Sequence, residues 1–134
     1  MNLVRINEVP YDKLETFIMN NQHINSVRLQ KAGYAVLKDD CMIGCFILES
    51  IDAGDSYWLQ QLFIEKKEAA KLPVLIETIL TLAREKEAKR VHVHSHQPVV
   101  DVLLEALQFN PQTLHHSLTV QHDIEGQWWT YQVS

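Results

Sequence analysis

The sequence is short of the residues that staple, break or loosen a chain. Its 134 residues include two cysteines, four glycines and four prolines. Cys41 and Cys45 make no disulfide framework, and on a single strand they would stand roughly 13 Å apart, beyond the reach of a bond. No glycine falls between Gly54 and Gly126. Apolar runs such as 45–48 and 102–104 are short, whereas a membrane span needs about 20 apolar residues. No membrane association is expected. The first residues lack the basic stretch and apolar core of a secretory leader, so a reduced, cytoplasmic protein is expected. Basic residues are in the minority, 12 Lys and Arg against 17 Asp and Glu, for a formal net charge of −5. That balance argues against a general nucleic-acid binder, whose affinity comes from neutralising phosphates.

What is present suits an ordinary globular chain, with 46% hydrophobic and 22% charged residues. The length is that of one domain over 1–134, large enough to bury a core without staples. A strand over 3–9 is expected first. Tyr11, Leu14, Phe17 and Ile18 then recur at helical spacing, with Pro10 suited to the first turn. A short helix over 21–30 would turn Ile24 and Val27 inward, and Gly33 closes it. Runs 34–38 and 42–50 are β-rich and separated by Asp39-Asp40, which reads as a hairpin. A turn over 52–55 leads to a third run, 57–64. The period then changes, because Leu72, Leu75, Ile76, Ile79, Leu80 and Ala83 mark one helix face. A strand over 91–95 follows, then a helix over 98–107 that Asn110-Pro111 stops. Strands over 116–124 and 127–133 close the chain, joined at Glu125-Gly126. The fold class is α/β (α+β) with a mixed sheet of about seven strands, helices on both faces and the order β-α-α-β-β-β-α-β-α-β-β.

That order, at this length, resembles the GNAT superfamily of N-acetyltransferases, and the local match spans 34–109. The hairpin with Gly44 in its second strand resembles the family's central antiparallel pair. Run 57–64 resembles the strand that carries acetyl-CoA, and Leu75-Ile76-Glu77-Thr78-Ile79-Leu80 resembles the helix after the pyrophosphate loop. Val91-His92-Val93-His94 resembles the next strand, and 98–109 the last helix. The resemblance implies an acyl-CoA N-acyltransferase fold, acetyl-CoA as cofactor, and cofactor contacts from Leu62, Phe63 and Ile64.

Two family features are replaced here. Family members carry an Arg/Gln-x-x-Gly-x-Gly/Ala loop whose backbone N–H groups face the CoA pyrophosphate. Counting back from Ala83 puts its glycines at about Glu68, Ala70 and Leu72, and Pro73 removes a further donor. Lys66, Lys67 and Lys71 surround this helix start. They either hold the anion by side-chain charge or belong to a solvated Lys/Glu turn. Many members also place a tyrosine acid five residues before the closing phenylalanine. Counting back from Phe109 reaches Leu104, which has no proton to give.

Three of the seven histidines alternate as His92, His94 and His96, so on a strand they share a face, roughly 6.6 Å apart. Two imidazoles at that spacing could share zinc, but no acidic motif lies nearby and no metal is assigned. In the fold the resemblance implies, this strand borders the place where amine and thioester meet, which makes His94 or His96 the candidate base. Gln60 and Gln61 are candidates for orienting substrate. Cys41 and Cys45 lack an obvious partner base and read as ordinary cysteines. Of Trp128 and Trp129, alternation would bury one and expose the other, a surface available to a homodimer. The functional reading is an N-acetyltransferase acting on a small-molecule or peptide amine, with a divergent cofactor loop. The alternative is a non-catalytic binding or regulatory module on the same fold.

Overall fold

The computed structural model describes residues 1–22, 24–95, 98–112 and 127–133. Seven described strands form one mixed sheet in the order β1-β2-β3-β4-β5-β7-β6. The chain divides into two compact units, one holding Met1–Glu49 and Gln60–Leu72, the other Ser50–Leu59 and Pro73–Ser134.

The first unit starts with β1 (Asn2–Arg5), α1 (Tyr11–Asn20), α2 (Ser26–Ala32), β2 (Gly33–Lys38) and β3 (Cys41–Ile51). The expected strand over 3–9 stops early, because Ile6–Glu8 curls into a 3-10 turn closed by Val9 N–H on the Ile6 carbonyl at 3.2 Å. That turn buries Ile6 and delivers the chain to Pro10, whose carbonyl accepts the first amide bonds of α1. The second helix also differs from expectation. Asn21 ends α1, its side-chain amide donating to the Phe17 carbonyl at 2.9 Å, and Asn25 caps α2 by accepting from Arg28 N–H at 3.2 Å. The later start turns Val27 outward, 63% exposed, while Ile24 and Leu29 are buried.

Strands β2 and β3 are joined by Asp39 and Asp40, both at positive φ, 51° and 66°. That is the geometry of a tight two-residue hairpin whose twist matches its strands. Alternation then assigns the faces. Ala35, Cys45 and Ile47 join Leu14, Phe17 and Leu29 in one apolar cluster. Tyr34 and Phe46, pointing the other way, stack with centroids 5.0 Å apart.

The two units share β4 (Ser56–Ile64). The second unit continues with α3 (Leu72–Glu85), β5 (Arg90–Ser95), α4 (Pro98–Ala106), β6 (Asn110–Gln112) and β7 (Gln127–Gln132). Strand β5 runs parallel to the start of β4, from Ser56 opposite Arg90 to Leu59 opposite Val93, and antiparallel to β7. The helical spacing of α3 holds, with Leu75, Ile76, Ile79, Leu80 and Ala83 buried. Asn110-Pro111 does more than stop α4, since it forms β6 against Thr130 and Trp129. Among the described residues β6 ends the strand order, a place where a proline costs no ladder bond. The strand expected over 116–124 lies outside the described residues.

Candidate functional site

In the first unit the chemistry-bearing residues gather where β4 ends. Gln61 sits in the left-handed region, φ 48°, which interrupts the strand's alternation and is costly for a residue with a Cβ. Its side-chain oxygen accepts the Asn25 amide N–H at 2.9 Å, so the unusual backbone is tied to the start of α2. Beyond it, Phe63, Ile64, Glu65, Lys66 and Lys67 line a groove of about 600 Å³ with Asn21. Two contacts hold its lining residues. The Glu65 N–H donates to the Ile43 carbonyl at 2.8 Å, and the Phe63 ring stands edge-on to Phe17 at 5.9 Å. Phe63, Ile64, Lys66 and Lys67, four of the expected cofactor residues, therefore share one groove. Leu62 is half-buried on the same strand.

Lys71 is placed differently. Lys66–Lys71 forms a 3-10 turn that continues into α3. Two of its amides are used internally, Glu68 N–H on the Glu65 carbonyl at 2.8 Å and Leu72 N–H on the Ala69 carbonyl, and Pro73 has none to offer. The Glu68 carboxylate, 9% exposed, lies 2.9 Å from Lys71 Nζ and 3.1 Å from Lys38 Nζ. Hydrogen bonds from Lys71, then Lys38, hold its pKa below the ordinary carboxylate value. The bond to Glu68 in turn raises that of Lys38. Sequence reading placed Glu68 in this loop but missed Lys38. The Glu68 and Leu72 amides are thus not free to face a diphosphate. The lining of the adjoining groove, apolar Phe63 and Ile64 with cationic Lys66 and Lys67, suits the chemistry of a thioester arm and its phosphates, with Glu65 Oε1 3.9 Å from Lys67 Nζ.

The two glutamines expected to orient substrate are committed within the protein. Gln60 accepts from the Arg28 guanidinium at 2.7 Å and donates to Glu49 at 2.9 Å, while Gln61 holds Asn25. Cys45 is buried, and burial pushes its thiol up to about 12. It therefore carries no thiolate nucleophile at neutral pH.

In the second unit, β5 presents Val91 and Val93 on one face and His92 and His94 on the other. His92 Nδ1 is 2.8 Å from the Thr130 hydroxyl. The half-buried His94 ring lies 5.0 Å from Trp128, itself 5.4 Å from Trp58. His96 lies outside the described residues. Among the described residues no group of three or more metal-ligating side chains gathers. Both tryptophans of β7 are buried, Trp128 1% and Trp129 5% exposed, so the expected exposed ring is absent. The reason is that β7 lies between β5 and β6, with Trp128 against His94 and Trp129 Nε1 donating to Asp101 of α4 at 2.8 Å. Leu104, five residues before Phe109, is buried in the core. Among the described residues no helix is long and apolar enough to cross a membrane.

No protein-family model matches the sequence, and no curated protein matches it. Solved structures do. A GNAT-family acetyltransferase from Staphylococcus aureus Mu50 superposes with a TM-score of 0.73 at 11% identity, covering 99% of each chain. A putative acyl-CoA N-acyltransferase from Klebsiella pneumoniae gives 0.73 at 13% identity, covering 99% of this chain and 97% of that one. A Mycobacterium tuberculosis protein solved in complex with CoA gives 0.72 at 11% identity over 98% of this chain and 99% of that one. From its first strand to its last, the chain has the fold of the GNAT acetyltransferases.

Proposed function

We propose that this chain is a GNAT-like N-acyltransferase that moves an acetyl group from acetyl-CoA to a small-molecule or peptide amine. The observation that carries the reading is the groove at the end of β4, where Phe63, Ile64, Lys66 and Lys67 come together. Acetyl-CoA would supply the electrophilic thioester carbonyl. Leu62, Phe63 and Ile64 would hold its arm along the strand, and Lys66 and Lys67 would meet its phosphates by charge, the task that glycine amides perform elsewhere in this fold. Lys71 contributes less, because its 2.9 Å pair with Glu68 is tighter than the 3.9 Å approach of Lys67 to Glu65. On β5, His94 is the proposed acceptor of the proton that an ammonium substrate must lose before its nitrogen can attack. His96 is the second candidate.

Calorimetric titration with acetyl-CoA, with CoA in parallel, tests the reading. The expected result is micromolar binding, weakened about tenfold by Lys67→Ala, the loss of one charge-assisted contact. Absence of binding at millimolar acetyl-CoA would overturn it. Full turnover of an identified amine by both His94→Ala and His96→Ala would remove the assigned base.

The rival reading is a binding or regulatory module on a GNAT fold without acetyl-CoA chemistry. Its specific support is Glu68, a carboxylate ion-paired in the turn where a diphosphate cradle would be. The same titration decides between the two.

A further inference from the structure

A second depression lies within the second unit, where α3, the end of α4 and β7 come together. Its volume is about 360 Å³, and its polar groups belong to Glu77, Thr81, Arg84, Gln108 and Tyr131. Three features set it apart from an ordinary helix surface.

The first is Gln108. The chain leaves α4 through this residue at φ 72°, with Gln108 N–H on the Glu105 carbonyl at 3.0 Å and Phe109 N–H on the Leu104 carbonyl at 2.9 Å. Glycine adopts that conformation freely, whereas a side chain strains it. The strained residue places a primary amide at the edge of the depression, and such outliers concentrate at binding sites. The second is a separation of charge. Glu77 and Arg84 lie seven positions apart on α3, roughly 10 Å along the axis, and neither has an ion-pair partner among the described residues. A carboxylate thus stands at one end and a guanidinium at the other, with buried Leu80 on the helix between them. The third is Tyr131, half-buried with its ring 5.2 Å from Phe109, which brings a phenol to the same depression.

We infer that this depression binds a short zwitterionic peptide with free termini, its ammonium at Glu77 and its carboxylate at Arg84. Gln108 and Tyr131 serve the peptide group between them. A single amino acid spans only about 3.5 Å between its charged ends and a dipeptide about twice that, so the dipeptide leaves the shorter gap for the side chains of Glu77 and Arg84 to close. Two residues, with the reach of the Glu and Arg side chains, bridge the gap. A carboxylate is the natural partner of a guanidinium, which binds it in a two-pronged fashion. The proposal does not rest on the acetyl-CoA reading, and its test does not involve acetyl-CoA.

The test is titration of the full chain with alanyl-leucine, followed by calorimetry and amide chemical shifts. Sub-millimolar binding is expected, with shifts at Arg84 and Gln108. The N-acetylated and C-amidated dipeptides should each bind at least tenfold more weakly. Arg84→Gln should abolish the preference for the free carboxylate over the amide. Gln108→Gly should raise the melting midpoint by about 3 °C while weakening binding at least fivefold, a combination that a purely structural residue would not give. No binding at 10 mM alanyl-leucine, or equal binding of the blocked dipeptides, would overturn the assignment.

Discussion

Glu68 and Lys38 meet at 3.1 Å although thirty positions separate them. The bond joins the turn after β4 to the last residue of β2, and Lys71 completes the cluster from the other side at 2.9 Å. Hydrogen bonding lowers the pKa of Glu68 and raises that of Lys38. A carboxyl group whose pKa is lower folded than unfolded stabilises the protein above the ordinary value of 4.5, and that contribution is lost as pH falls through the folded value. The Lys38 contribution has the opposite sense, present below 10.5 and lost as pH rises through its raised folded value. Glu68→Gln should therefore be less stable than the parent at pH 7, and the difference should close towards pH 2. Urea denaturation of both proteins at the two pH values checks it, and a gap that persists in acid would contradict the assigned pairing.

Gly44 meets β4 closely. A Cβ built there would run into the carbonyl oxygen of Phe63, a backbone atom with no rotamer to escape into. Gly44→Ala should cost about 1–3 kcal/mol, the usual range for overpacking a tight site. Its effect should extend to the β4 groove, because Phe63 lines it. A midpoint in chemical denaturation equal to that of the parent would show that the two strands yield more easily than their geometry indicates.

Local and long-range relationships differ in how far the sequence discloses them. The hairpin around Asp39-Asp40 is legible because both a β pattern and its turn are local. The helix from Leu72 to Glu85 is legible because its apolar face repeats over several turns. The 3-10 turn at Ile6–Glu8 was hidden, since three residues are too few to show a period. The strand Asn110–Gln112 was hidden for the same reason, and its proline argued the other way. In the candidate site, the closeness of Phe63, Ile64, Lys66 and Lys67 was legible because they are near neighbours in sequence around the end of a recognisable strand. The partners of Glu68, Gln60 and Gln61 were not, because pairs 30, 32 and 36 positions apart leave no spacing to read. The tryptophans misled because alternation tells which face a side chain takes, not whether that face is covered.

The two cysteines should behave as different reagents. Cys41 is exposed and Cys45 buried, and burial raises the Cys45 thiol to about 12. Because the thiolate is the reacting species, Cys45 is doubly protected, by access and by protonation. Ellman's reagent at pH 8 should titrate one thiol promptly in the folded chain and two after denaturation. Prompt modification of Cys45 in the native protein would contradict its placement.

Trp129 and Asp101 supply a test of the second unit. The indole N–H donates to Asp101 Oδ1 at 2.8 Å, joining the buried Trp129 to the half-buried Asp101. Asp101→Ala should destabilise the chain by about 1–3 kcal/mol, the cost of leaving a buried donor without a partner. Asp101→Asn keeps a carbonyl oxygen at the same place and should lose only the charge-assisted part of that bond. Following denaturation by tryptophan fluorescence, the midpoints should fall in the order parent, Asn, Ala. Equal midpoints for Asn and Ala would mean that the charge of Asp101, rather than its acceptor geometry, holds α4 against β7.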